Sequence, residues 1–250
     1  MTFDLFVPTR CRPRNVHRLL ESVEDTATHL DRVTAYFYVD DDDEVMPSYM
    51  DGIREGHPGI EMHFAVGPRI VLSQTYTGMA AASHGDILWS GGDDIVFRTA
   101  GWDEAIAAEF AGVPDGILLV YGNDRLQEHR LATHPFISRK GMDVVGYFYP
   151  ATGPIAVTDV WLHQAYKTIG RLRYRPDIIT EHLHWLRRDA EGEPLAEYDA
   201  VYANQYQNNL PEVMATLQSH QDLLVRGIGA LAKAIGSDAV ITARHPAVPA

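Results

Sequence analysis

Phe3 to Val23 reads FDLFVPTRCRPRNVHRLLESV. Phe3 to Pro8 is a short apolar run closed by proline, Thr9 to Arg14 (TRCRPR) is a basic loop, and Val16, Leu19, Leu20 and Val23 then recur at helical spacing. A buried strand feeding a loop and then an amphipathic helix is the opening unit of an α/β protein. Outward from it, the alternation continues. Val33 to Val39 (VTAYFYV), β-branched and aromatic, predicts a second strand that stops at four consecutive acids, Asp40 to Asp43. Ile60 to Val66 alternates as a third strand, Val71 to Ser83 reads as a helix, and Ile87 to Ser90 (ILWS) is a fourth strand ended by Gly91, Gly92, Asp93 and Asp94. Strands alternating with helices over residues 1 to about 120 predict a mostly parallel sheet with helices on both faces.

The second half is less regular. Ile117 to Tyr121 and His134 to Ser138 read as strands, Asp159 to Ile169 as an amphipathic helix, and Leu172 to Trp185 as one or two strands. Beyond about residue 199 the pattern is helical to Gly236, and Thr242 to Ala250 is too rich in Pro and Ala to order itself. We therefore expect an α/β unit over residues 1–198 and a C-terminal helical appendage with a flexible tail over 199–250. Repeats and low-complexity segments are absent.

The 250 residues are 46% hydrophobic and 22% charged, an ordinary globular composition long enough to bury a core without staples. Cys11 is the single cysteine, which excludes an intramolecular disulfide scaffold. Apolar runs such as Ile117 to Tyr121 fall far short of the roughly 20 residues of a membrane span. At the N-terminus the acidic residue precedes the apolar run and the basic residues follow it, the reverse of a secretory signal, so the expected location is cytoplasmic. The 21 Lys and Arg against 34 Asp and Glu leave a net charge of −13, which disfavours broad grip on a nucleic-acid backbone.

In a parallel α/β sheet, ligands collect beyond the carboxyl ends of the strands. Three such ends carry unusual charge here: Arg10, Arg12 and Arg14 after the first strand, Asp40 to Asp43 after the second, and Asp93 and Asp94 after the fourth. Arginines offer bidentate hydrogen bonds to phosphate, and adjacent carboxylates repel unless a cation or water separates them, so phosphate with a metal is the natural joint reading. The plain alternative for Asp40 to Asp43 is a solvated acidic turn. His182 and His184, two apart in IITEHLHW, share one face of a strand and are candidates to join a metal at Asp94. Carboxylates without cysteine favour Mg²⁺ or Mn²⁺. Asp159, at the start of DVWLHQAY, reads either as a helix cap or as a general base.

Taken together, these residues resemble the GT-A glycosyltransferases, particularly the family 2-like branch. FVPTRCRP resembles the family's opening segment, YVDDDD the strand ending in nucleotide-binding acids, and SHGDILWSGGDDIVF the segment holding its Asp-x-Asp metal site. GWDEAI, TDVWLHQAYKTIG and EHLHW follow in the family's order, and the likeness spans about residues 3–185. The resemblance implies a Rossmann-like GT-A fold and transfer of a sugar from a nucleotide diphosphate donor to an acceptor hydroxyl, inverting and non-processive, with Mn²⁺ or Mg²⁺. It implies Asp94 as the principal metal ligand completed by His182 or His184, and Asp93 beside the donor ribose or the metal. Asp40 or Asp41 would bond the nucleobase, Arg10 and Arg69 would face the nucleotide, and Asp159 would deprotonate the acceptor. Gly92 stands where a strict Asp-x-Asp would begin, and the Gln-x-x-Arg-Trp segment of processive synthases is missing.

Bonding to a ring N–H favours a uridine or guanosine donor over cytidine, whose N3 is an acceptor. Two other readings are a non-catalytic nucleotide- or sugar-binding module, which Gly92 keeps open, and a glycosyltransferase acting on modified DNA bases. For the latter, Arg171, Arg173 and Arg175 (RLRYR) would supply a local basic track, or else form the charged solvent face of a strand. A nucleotidyltransferase would need a glycine-rich basic loop, and TRCRPR has no glycine.

Overall fold

β1 (Phe3–Thr9) is buried along nearly its whole length because parallel strands flank it on both sides, β2 (Val33–Asp40) and β4 (Ile87–Ser90). That placement explains why its apolar run is almost continuous rather than alternating. The computed structural model describes residues 1–150, 158–184, 186–198 and 221–237. After β1 the chain turns through Cys11, whose φ is +54°, into α1 (Pro13–Thr26). Pro13 opens the helix, where its missing N–H costs nothing, and Val16, Leu19, Leu20 and Val23 pack into the core on one face of the sheet.

The remaining elements are α2 (Met50–Gly56), β3 (Glu61–Gly67), α3 (Leu72–Ala82), β5 (Ile95–Phe97), α4 (Trp102–Ala111), β6 (Leu119–Asn123), β7 (Phe136–Ser138), α5 (Arg139–Val145), α6 (Thr158–Thr168), β8 (Leu172–His182) and α7 (Gln221–Ala234). The sheet order is β3-β2-β1-β4-β7-β6-β8-β5. β3, β2, β1 and β4 pair in parallel, as the alternating sequence predicts. Beyond β4 the sheet is mixed: β7 is antiparallel to β4 and β6, β8 is parallel to β6, and β5 is antiparallel to β8. The physical reason lies in the connections. A parallel partner needs a crossover of a dozen or more residues, normally helical, and between β6 and β7 the chain has only loop and a single 3₁₀ turn.

Two apolar cores sandwich the sheet. One joins α1 and α4 to it through Val16, Leu20, Trp102 and Phe110; the other joins α3, α6 and α7 through Met79, Trp161, Leu162, Ile228 and Leu231. Helices thus cover both faces. β5 is too short to be read from the sequence, and it is the strand that fixes the site. Among the described residues, no helix is long and apolar enough to cross a membrane. The expected helical run after residue 199 is described only from Gln221 onward, and the expected flexible tail, Thr242 to Ala250, lies outside the described residues.

Candidate active site

The turn Gly91-Gly92-Asp93-Asp94 joins β4 to β5, and the two carboxylates point in different directions. Asp93 is fully buried: Thr9 Oγ1 donates to it at 2.6 Å, Asn15 Nδ2 at 3.3 Å, and Arg12 Nε lies 2.9 Å from Oδ2. It therefore ties the end of β1 and the first turn of α1 to the β4 turn. Burial pushes this carboxyl up to about 6 against the pull of Arg12, with Asp94 adding to the rise. Asp93 was expected at the donor ribose or metal, yet in this structure its oxygens face protein groups.

Asp94 meets His182 because of strand register. Ile95, the next residue, pairs with His182 across the antiparallel β5–β8 ladder, and Leu183 N donates to the Asp94 carbonyl at 2.9 Å. His182 Nε2 then sits 3.2 Å from Asp94 Oδ2. Burial alone would raise the Asp94 carboxyl, but His182 and Arg12 outweigh it and hold the group low. Burial would likewise lower His182, and Asp94 reverses this. His134, not singled out by sequence, packs its ring 4.7 Å from that of His182, with Nε2 3.4 Å from His182 Nδ1 and Nδ1 3.3 Å from the Ser90 carbonyl. Burial, then the neighbouring His182, pushes it down to about 4, so it is neutral at physiological pH. His184 leaves the strand at φ +26°, its ring 5.1 Å from that of His182, and its Nδ1 accepts from Leu186 N at 3.3 Å.

Among the described residues no group of three His, Cys, Asp or Glu is already arranged as a metal cage. A two-donor site nonetheless fits a divalent cation that a diphosphate also ligates. Asp94 and His182 converge on one point and hold a proton that metal binding would release. Gly92 fits the same picture, since a Cβ there would meet Asp94 Oδ1 at 2.9 Å and push the carboxylate aside.

Asp159, the second residue of α6 and so inside the helix rather than at its cap, is only partly exposed. Burial pushes its carboxyl up to about 8, with the charge of His182 opposing. Its Oδ1 lies 3.5 Å from Tyr149 OH, which is 2.6 Å from Ser90 Oγ, while Tyr76 OH donates to the Gly91 carbonyl. A buried chain of hydroxyls thus links this acid to the end of β4.

At the end of β2, Arg10 Nη1 reaches Asp40 at 3.4 Å and also contacts Asp42, and Arg69 Nη2 donates to Asp42 at 2.8 Å. Asp41 is exposed beside them, its backbone N–H donating to the Gly67 carbonyl at 2.7 Å. Burial raises the Asp40 carboxyl despite Arg10. Asp43 is engaged by the backbone of its own turn. It is buried and accepts from the backbone of Cys11, Val45 and Met46 at 2.7, 2.8 and 3.0 Å, closing the turn. The acid run therefore splits into one carboxylate that closes the turn, Asp43, one half-buried against Arg10, Asp40, and two exposed, Asp41 and Asp42.

Arg171, Arg173 and Arg175 do not form a basic track, because each is met by carboxylate: Asp115 at 2.5 Å, Glu109 at 2.6 Å, and Glu109 with Asp177 at 2.8 and 2.6 Å. The solvated-strand reading of RLRYR is the one the contacts favour.

The eight-stranded mixed sheet with helices on both faces has the architecture of a Rossmann-like GT-A fold. The chain is similar to the mannosyltransferase PcManGT from Pyrobaculum calidifontis, a complex with GDP-Man and Mn²⁺, at 14% identity over 93% of this chain and 73% of that one, with a TM-score of 0.63. It is similar to S. aureus TarS 1-349 in complex with UDP-GlcNAc, at 10% identity over 93% and 73% of the chains, with a TM-score of 0.58. A mycobacterial protein matches at 12% identity over 94% and 75%, with a TM-score of 0.51. No protein-family model and no curated protein matches the sequence.

Proposed function

We propose that the chain is a metal-dependent, non-processive inverting glycosyltransferase that takes a sugar from a nucleotide diphosphate donor and passes it to an acceptor hydroxyl. One observation carries this reading: β5–β8 register delivers the Asp94–His182 pair to the carboxyl end of the sheet, within the charge field of Asp159. The nucleotide-sugar complexes of the GT-A neighbours support the donor class.

Asp94 and His182 would hold Mn²⁺ or Mg²⁺, with His184 beside them. The metal would neutralise charge developing on the leaving diphosphate. Arg10 and Arg69 would face the nucleotide, and Asp40 or Asp41 would accept the ring N–H of uracil or guanine. Asp93 would position Arg12 and the α1 N-terminus rather than touch the sugar. Asp159 would accept the acceptor's proton on the face opposite the leaving group, directly by its Oδ atoms. Tyr149, held by Ser90, would orient that carboxylate.

Calorimetric titration of GDP and UDP with and without Mn²⁺ tests the assignment. Wild type should bind one of them at least about tenfold more tightly with metal, and Asp94→Ala should lose that gain while keeping its melting temperature. A metal effect equal in the variant would remove Asp94 from the site.

A further inference from the structure

Glu181 precedes His182 on β8, and its side chain, 7% exposed, is met by three guanidinium groups. Arg98 approaches Oε2 with both Nε and Nη2 at 2.9 Å, while Arg125 Nη1 and Arg187 Nη1 share Oε1 at 3.3 and 3.2 Å. Arg187 Nη1 also donates to the His182 carbonyl at 2.9 Å, so the cluster abuts the candidate metal site, displaced from it by one residue along β8.

The charge does not balance. Other ion pairs of this chain are closer to balance: Arg171 has Asp115, Arg54 has Asp51, and Arg175 has both Glu109 and Asp177. Here three cations share one carboxylate, leaving +2 among the described residues. Like charges gathered this way repel, and their side chains are still 46%, 48% and 29% exposed for Arg98, Arg125 and Arg187. Arg125 is held in the left-handed region at φ +59°, with its N–H donating to Asn123 Oδ1 at 2.8 Å, so the loop aims this residue into the cluster. Buried Glu181 thus gathers three guanidinium side chains that are themselves still partly exposed.

We propose that Arg98, Arg125 and Arg187 form a binding site for a doubly charged tetrahedral oxyanion of the phosphate class. Arginine forks match phosphate oxygens bidentately, and a dianion would bring the cluster to neutrality. The site stands whether or not the chain transfers sugar, because it uses no residue of the proposed transfer machinery.

The test is calorimetric titration of the metal-free protein with inorganic phosphate and, in a separate arm, with a sugar phosphate monoester. Wild type should bind phosphate, and Arg125→Gln and Arg187→Gln should each weaken it at least about tenfold while leaving GDP and UDP binding in Mn²⁺ unchanged. Tighter binding of the monoester would assign the anion to a phosphorylated acceptor, and equal or weaker binding would assign it to free phosphate. Absence of phosphate binding, or affinity unmoved in both variants, would overturn the proposal. Arg125 lies on a surface loop, so its variant is expected to fold, and an unchanged melting temperature in the absence of phosphate checks this.

Discussion

In the proposed transfer, the chemical step rests on Asp159. Asn keeps its size and its place in the first turn of α6 but cannot take a proton, so Asp159→Asn should lower turnover by about 10²–10⁴ with donor affinity little changed. With the carboxyl pushed up to about 8, kcat/KM should rise with pH toward that value, and the variant should lose the slope. The stability sign follows from the same shift. A carboxyl raised above its unfolded value keeps its proton longer in the native state, so its contribution favours folding at the acidic end and fades as pH climbs from about 4 to about 8. Melting temperatures across that window should therefore rise at the alkaline end in Asp159→Asn relative to wild type. An equal pH dependence in both proteins would mean the carboxyl ionises normally. Tyr149, which contacts this acid, and His134, which packs on His182, are illegible in the sequence because a lone tyrosine or histidine in an apolar stretch carries no spacing signal. Only packing brings them to the end of β4.

At the scale of elements, the strand ends were readable and the pairings were not. The basic loop after β1, the acids after β2 and the Gly-Gly-Asp-Asp turn stood out because charge abruptly follows an apolar run. β5 was missed because three residues, Ile95–Phe97, give no periodicity, although their pairing with β8 sets His182 against Asp94. α7 makes a separate claim, since Leu231 is fully buried in the core shared with α6. Leu231→Ala should cost about 2–5 kcal/mol in urea unfolding, a normal core truncation. A cost below about 1 kcal/mol would show that the helix docks loosely.

For the whole molecule, the α/β alternation of the first half was legible because each strand and helix carries its own hydrophobic period, whereas the mixed second half depends on connection geometry. The central claim, catalysis rather than mere nucleotide binding, is tested by release of nucleotide diphosphate from GDP-mannose and UDP-N-acetylglucosamine, followed with and without Mn²⁺ in wild type, Asp94→Ala and Asp159→Asn. Even without the natural acceptor, slow hydrolysis to water should report the chemistry. The account predicts Mn²⁺-dependent release from at least one donor in wild type, lost in Asp94→Ala and reduced by at least about 10² in Asp159→Asn. Release that is absent from wild type while the donors bind, or that persists unchanged in both variants, would contradict it.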